Sequence, residues 1–101
     1  MIHVLAIITA HSGKRRELLE LFEAVIPTVR AEQGCIEYGV AVDVAGADPA
    51  FGPETYVVIE KWESPETLKA HSVAPHMQAF GAAAKTLIAQ RAVHVLEPAA
   101  P

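Results

Sequence analysis

The chain has 101 residues, 51% of them hydrophobic, a net charge of −4 and one cysteine. That size supports one domain over residues 1–101 with a single core, and scattered Lys and Arg exclude the continuous basic stripe of a nucleic-acid binder. No apolar run reaches the roughly 18 residues of a membrane helix, and no basic segment with a cleavage site marks a signal peptide.

Cys35 alone excludes an internal disulfide and suits a reducing compartment, so a cytoplasmic location is expected. A mean hydropathy of +0.26 then points to an apolar pocket or an oligomer interface.

Residues 2–9 are β-branched and almost wholly apolar, which predicts a strand covered on both faces. His11, Ser12 and Gly13 predict a turn, with Ser12 as N-cap of a helix over 14–32. Leu18, Phe22, Val25, Ile26 and Val29 recur every three or four residues and give that helix one apolar stripe. Pro27 should kink it, and Gly34 should stand as its C′ residue. Residues 35–44 read as a second strand, and 45–54, dense in Gly, Pro and Asp, as a loop. Residues 55–63 read as a third strand. Ser64, Pro65 and Glu66 combine an N-cap hydroxyl, a first-turn proline and a first-turn acid. The helix begun there meets Pro75, which can open a second helical segment running to about residue 85 or 87. Residues 90–96 read as a fourth strand and 98–101 as a frayed tail.

The order β-α-β-β-α-β is that of an α+β, ferredoxin-like fold: a four-stranded antiparallel sheet with helices on one face. No further helix is available for the other face. A second copy of the sheet is its natural cover, so a homodimer is expected.

His71 and His76 are the first candidates for chemistry, because imidazole exchanges protons near neutral pH. On an unbroken helix they would point about 140° apart, but the break at Pro75 removes that constraint. Their alternative is a surface or capping role. His-x4-His is not the one-face pair that grips zinc, and no Cys or Asp adjoins it, so no metal site is expected. Trp62 offers a flat wall and one N–H donor, or is simply a core residue. Glu60 shares its face and needs a partner if covered, with Arg91 or His94 as candidates. Tyr38, Met77 and Phe80 are pocket walls or core. Cys35 has no basic neighbour and reads as buried and inert. The chain carries no phosphate loop or dinucleotide fingerprint.

The stretches EQGCIEY at 32–38, IEKWES at 59–64 and LKAHSVAPHMQAF at 68–80 resemble the antibiotic biosynthesis monooxygenase family, and within it the small bacterial quinol monooxygenases. The resemblance implies a dimeric α+β barrel. It implies oxygenation by O2 of a quinol or hydroxylated aromatic, without flavin, haem or metal, with Tyr38, Trp62, His71 and His76 matching the family's residues; a histidine base in an apolar pocket of aromatic and Met residues, Met77 and Phe80 among them, would suffice for it. Haem-degrading relatives carry Asn, Trp and His where this chain has Ala6, His71 and Gly81, which speaks against haem. A non-catalytic dimer that binds a small aromatic is the alternative. Oxygenation without a cofactor is chemically self-consistent: a hydroquinone already holds the electrons that O2 needs, so a base and a dry pocket suffice.

Overall fold

Strand β1 (Ile2–Ala10) lies inside the sheet, as its apolar run requires. In this computed structural model, which describes residues 1–100, it is followed by α1 (Arg15–Arg30), β2 (Cys35–Ala41), β3 (Thr55–Trp62), α2 (Pro65–Ser72), α3 (Pro75–Ala84) and β4 (Ile88–Leu96). The strands form one sheet in the order β2-β3-β1-β4, antiparallel throughout. This is the ferredoxin-like α+β arrangement, with the second helical region divided at Pro75.

Side chains alternate across the pleat. Val4, Ala6, Ile8 and Ala10 of β1, with Tyr56, Val58 and Trp62 of β3, are buried in the core beneath the helices. The stripe of α1 packs onto them: Leu18, Phe22 and Val29 are buried, and Val25 and Ile26 partly so. The opposite sheet face carries Leu5, Ile7, Val57 and Ile59 in direct cross-strand register. Leu5 and Ile59 remain 36% and 37% exposed. The expectation of a first strand covered on both faces therefore does not hold within one chain.

Several boundaries differ from the sequence reading, β1 running one residue further, to Ala10, and β3 ending one sooner, at Trp62. The N-cap of α1 is Lys14, without a side-chain cap bond. Ser12 is displaced because Gly13 turns the chain at φ +78° and its N–H donates to Glu54 Oε2 at 3.0 Å. The helix runs through Pro27 and ends at Arg30, two residues short of 32, with Ala31 as C-cap. Gly34 is therefore not C′ but a later left-handed turn, at φ +82°. Strand β2 ends at Ala41 instead of Val44. There the Asp43 carboxylate accepts the N–H groups of Phe51 and Gly52 at 3.0 and 2.9 Å, which closes the Gly/Pro loop early. Strand β4 begins at Ile88, two residues sooner than expected.

The start of α2 follows the sequence. Ser64 Oγ accepts from Thr67 N–H and Thr67 Oγ1 accepts from Ser64 N–H, both at 3.2 Å, a reciprocal capping box. Proline disfavours helical backbone in the residue before it. Ala74 accordingly adopts φ −64°, ψ 144°, and α3 starts afresh at Pro75. His71 and His76 thus sit on two helices, free of any single helical period.

Gly34 ties the α1–β2 turn to this cap. A Cβ there would stand 2.4–2.8 Å from the Thr67 side chain, whereas one on Gly13 would meet nothing within 4 Å. Left-handed backbone costs a non-glycine residue about 1–2 kcal/mol, and Gly34 adds overpacking against the cap. In urea unfolding, Gly34→Ala should lose about 2 kcal/mol more than Gly13→Ala. Equal losses would show that the Thr67 contact is immaterial.

Candidate active site

Three side chains from three segments meet on one oxygen. Glu32 lies just beyond α1, held by its N–H to Val29 O at 2.9 Å. His71 is in the last turn of α2 and His76 in the first turn of α3. Glu32 Oε2 is 2.8 Å from His71 Nδ1 and 2.8 Å from His76 Nε2. A carboxylate only accepts hydrogen bonds, so each ring nitrogen facing it carries a proton. In neutral His71 the proton is then on Nδ1 and the lone pair on Nε2.

That Nε2 faces a second acid. Glu60 Oε1 lies 3.9 Å from it and accepts Trp62 Nε1–H at 2.9 Å. The partner of Glu60 is therefore Trp62, its neighbour on the same face of β3, with His71 close by, rather than Arg91 or His94. Burial pushes the Glu60 carboxyl above its ordinary range. The Trp62 bond and His71 act against that shift, and the negative Glu32 reinforces it. The Trp62 and His71 rings lie 4.6 Å apart, and the Tyr38 ring is edge-on to His71 at 5.4 Å. His71 is thus fixed between two acids and two aromatic rings.

Beside it is a cavity of about 460 Å³, within the range of small-ligand sites. Its walls include Phe22, Tyr38, Tyr56, Met77 and Phe80; Glu60 is its acid, and His71, Lys85 and Arg91 are its basic groups. Phe22 is the hub of the aromatic lining, 5.4, 5.7 and 6.0 Å from the rings of Tyr38, Tyr56 and Phe80. The cavity is bounded at β4 by Val93 and Val95, both about half exposed. Among the described residues no buried side-chain nitrogen or oxygen lacks a partner. Among the described residues His71 Nε2 makes no hydrogen bond, Glu60 Oε1 at 3.9 Å being beyond that range, so it is free to take a partner. Burial raises the Tyr56 phenol to about 12. It raises Tyr38 further, with the charge of Glu60 adding to the effect. Both therefore remain protonated donors at neutral pH.

Of the residues singled out in the sequence, His71, Tyr38, Met77 and Phe80 line the cavity. His76 does not: it stands behind His71, on Glu32. Trp62 is fully buried, outside the cavity wall, and reaches the site through Glu60 and His71. Cys35 is half-buried rather than buried. Its thiol is pushed up by burial, then by the negative charges of Glu32 and Glu60, which keeps it unreactive. Glu32, Tyr56 and Phe22 were missed as site residues. One signal for Glu32 was available: an acid just past a helix C-terminus faces the negative end of the dipole, so its placement needed a distant reason. The donors that sequence spacing could not assemble for a metal do converge, as Glu32, His71 and His76.

Glu60 gives the site a measurable pH signature. Its proton leaves at higher pH in the folded chain than its ordinary value of 4.5. Between those two values the folded chain holds more protons, so stability falls as pH rises through the window. Glu60→Gln keeps an acceptor for Trp62 and removes the titration. Across urea unfolding from about pH 4 to pH 8, the wild type should lose stability relative to this variant. Parallel curves would contradict the assignment.

Comparison with known proteins agrees with this architecture. The family model described as "Antibiotic biosynthesis monooxygenase" matches residues 1–83. The chain is 35% identical over 102 residues to the "Probable quinol monooxygenase YgiN" of Escherichia coli, covering 97% of this chain and 98% of that protein. The structure of Rv0793 from Mycobacterium tuberculosis superposes with a TM-score of 0.83 at 28% identity, over 99% of this chain and 96% of that one. PA3566 from Pseudomonas aeruginosa shares the fold, with a TM-score of 0.83 at 24% identity, over 98% and 94%. With the family model spanning most of its length and a relative of that identity end to end, the chain belongs to the antibiotic biosynthesis monooxygenase family.

Proposed function

We propose that the protein is a monooxygenase that oxidises a quinol or hydroxylated aromatic with O2, using its own side chains and no resident cofactor. The observation that carries the reading is the two-sided setting of His71: Nδ1 is held by Glu32, while the residue itself lines a largely apolar cavity with four aromatic walls. Membership of the family and the likeness to a protein named as a quinol monooxygenase support it.

The substrate ring lies among Phe22, Tyr38, Tyr56 and Phe80, with one hydroxyl towards His71 Nε2. Nε2 takes the phenolic proton, and the imidazolium formed is stabilised by Glu32 on one side and Glu60 on the other. The phenolate is electron-rich enough to pass an electron to O2, and the apolar walls exclude the water that would quench the pair. For a hydroquinone the balance closes on the substrate alone: one oxygen atom enters the ring, the other leaves as water, and the organic product is a hydroxyquinone. Glu32 is a positioning residue that sets the tautomer. His76 holds Glu32 in place.

In the same reading two chains pair through the open sheet face of Leu5, Ile7, Val57 and Ile59. Hiding a side chain of this size contributes about 1.5–3 kcal/mol if it goes from exposed to fully buried. Light scattering at twice the chain mass is the expected result, and a monomer at micromolar concentration would contradict it. A reducing, cytoplasmic setting is consistent with the protonated thiol of Cys35.

Oxygen uptake by chelator-treated protein with menadiol and related quinols, corrected for autoxidation, tests the activity. His71→Ala should lower kcat by about 10²-fold or more, and Glu32→Gln by a smaller factor with little change in KM. Full activity in His71→Ala would remove it as the base. Thermal stabilisation by an unreactive quinone analogue with no oxygen uptake by the wild type would make the protein a binding module instead.

A further inference from the structure

We propose that Glu32, His71 and His76 form a binding site for a borderline divalent transition-metal ion, zinc being the representative, and that its occupancy silences the histidine. The second half of this proposal rests on the role given to His71 above; the first half does not.

The donor set is two imidazoles and one carboxylate, with every ligand atom within 4.8 Å of the others. Two imidazoles select a borderline ion over Mg²⁺ or Ca²⁺, which favour oxygen. Zinc bonds of about 2.0–2.2 Å place tetrahedral ligands roughly 3.3 Å apart. Glu32 Oε2, now 2.8 Å from each nitrogen, would have to withdraw by roughly half an ångström, and the two ring nitrogens, which lie within 4.8 Å, would settle to the same spacing. The ion replaces the two protons between the groups.

A second observation points the same way. Metal-ligating histidines characteristically present their other ring nitrogen to a carboxylate or another acceptor. His71 already has Glu60 Oε1 3.9 Å from Nε2, and Glu60 is braced by Trp62. A carboxylate thus stands behind the metal-binding imidazole, at a separation longer than a hydrogen bond and within reach of a small side-chain shift. The His76 side chain is 26% exposed, which gives an ion a route in and leaves a coordination position for water.

The position of the site decides its effect. Glu32 and His76 are not among the walls of the cavity, so the ion sits on the side of His71 away from the cavity. A metal on Nδ1 forces the ring proton onto Nε2, directed at Glu60. The lone pair that would accept the phenolic proton is then gone. The site acts as an off-switch rather than as an oxygen-activating centre.

Titration of metal-free full-length protein with Zn²⁺ against a chromogenic chelator, with Mg²⁺ as control, tests the site. One Zn²⁺ per chain and no Mg²⁺ response are expected. Glu32→Gln and His76→Gln should each weaken zinc binding tenfold or more. Co²⁺ should give the visible absorption of a low-symmetry, four-coordinate site in the unmutated chain, a readout that does not depend on how the variants fold. Absence of zinc binding, affinity unchanged in both variants, or an octahedral Co²⁺ spectrum overturns the site. In the oxygen-uptake assay, Zn²⁺ should reduce the rate with the same midpoint as binding, each variant being compared with its own metal-free rate. Zinc bound at full rate overturns the switch and leaves the site standing. No oxygen uptake by the metal-free protein overturns the proposed activity, and with it the switch, while the binding result still decides the site.

Discussion

One carboxylate oxygen organises the site. Glu32 Oε2 accepts from both His71 and His76 at 2.8 Å, and it links the end of α1 to the two helices that follow β3. Removing it would leave two polar rings facing a gap in a part-buried region, where an unmade bond costs about 1–3 kcal/mol. It also orients His71. With Nδ1 committed to Glu32, Nε2 is the nitrogen left for the cavity. The Trp62–Glu60 pair on the far side completes a frame in which the ring is bonded at one edge, has a carboxylate 3.9 Å from the other, and meets the Trp62 ring at 4.6 Å.

The backbone features that make this meeting possible are local and cheap. Pro75 forces Ala74 out of the helical region, so His76 starts a new helix and can swing back to the acid that His71 already contacts. The Ser64–Thr67 box sets where α2 begins, and hence where its last turn brings His71. Gly34, packed on Thr67, ties the turn that bears Glu32 to that same cap. Three segments distant in sequence are thus brought into register by a proline, a capping box and one left-handed glycine.

Most of the fold was legible in the sequence because its signals are local: the apolar run of β1, the stripe Leu18–Phe22–Val29, and the Ser64–Pro65 start with its break at Pro75. The errors lie where a tertiary partner overrides a local signal. Ser12 lost the N-cap position because Gly13 bonds Glu54 in the neighbouring turn before β3, and β2 stopped early because Asp43 gathers the loop amides. The site was legible as residue types but not as contacts. His71, Tyr38, Met77 and Phe80 reach the cavity, yet nothing in the spacing of His71 and His76 reveals that an acid about forty positions earlier joins them. Trp62 read as either a pocket wall or a core residue, and the sheet pleat buries it, leaving it to act on the site through its bond to Glu60 and its ring against His71. Glu60 itself was recognised as needing a partner, and the partner proved to be its neighbour on the same strand face.

The central claim is that Glu32 sets the tautomer of His71 and leaves Nε2 open to the cavity. It is tested most directly by ¹⁵N NMR of the histidine side chains in metal-free protein, in which protonated and unprotonated ring nitrogens are separately resolved. The account predicts that neutral His71 carries its proton on Nδ1, and that Glu32→Gln shifts the population towards the Nε2–H form. A wild-type His71 protonated on Nε2 would contradict it.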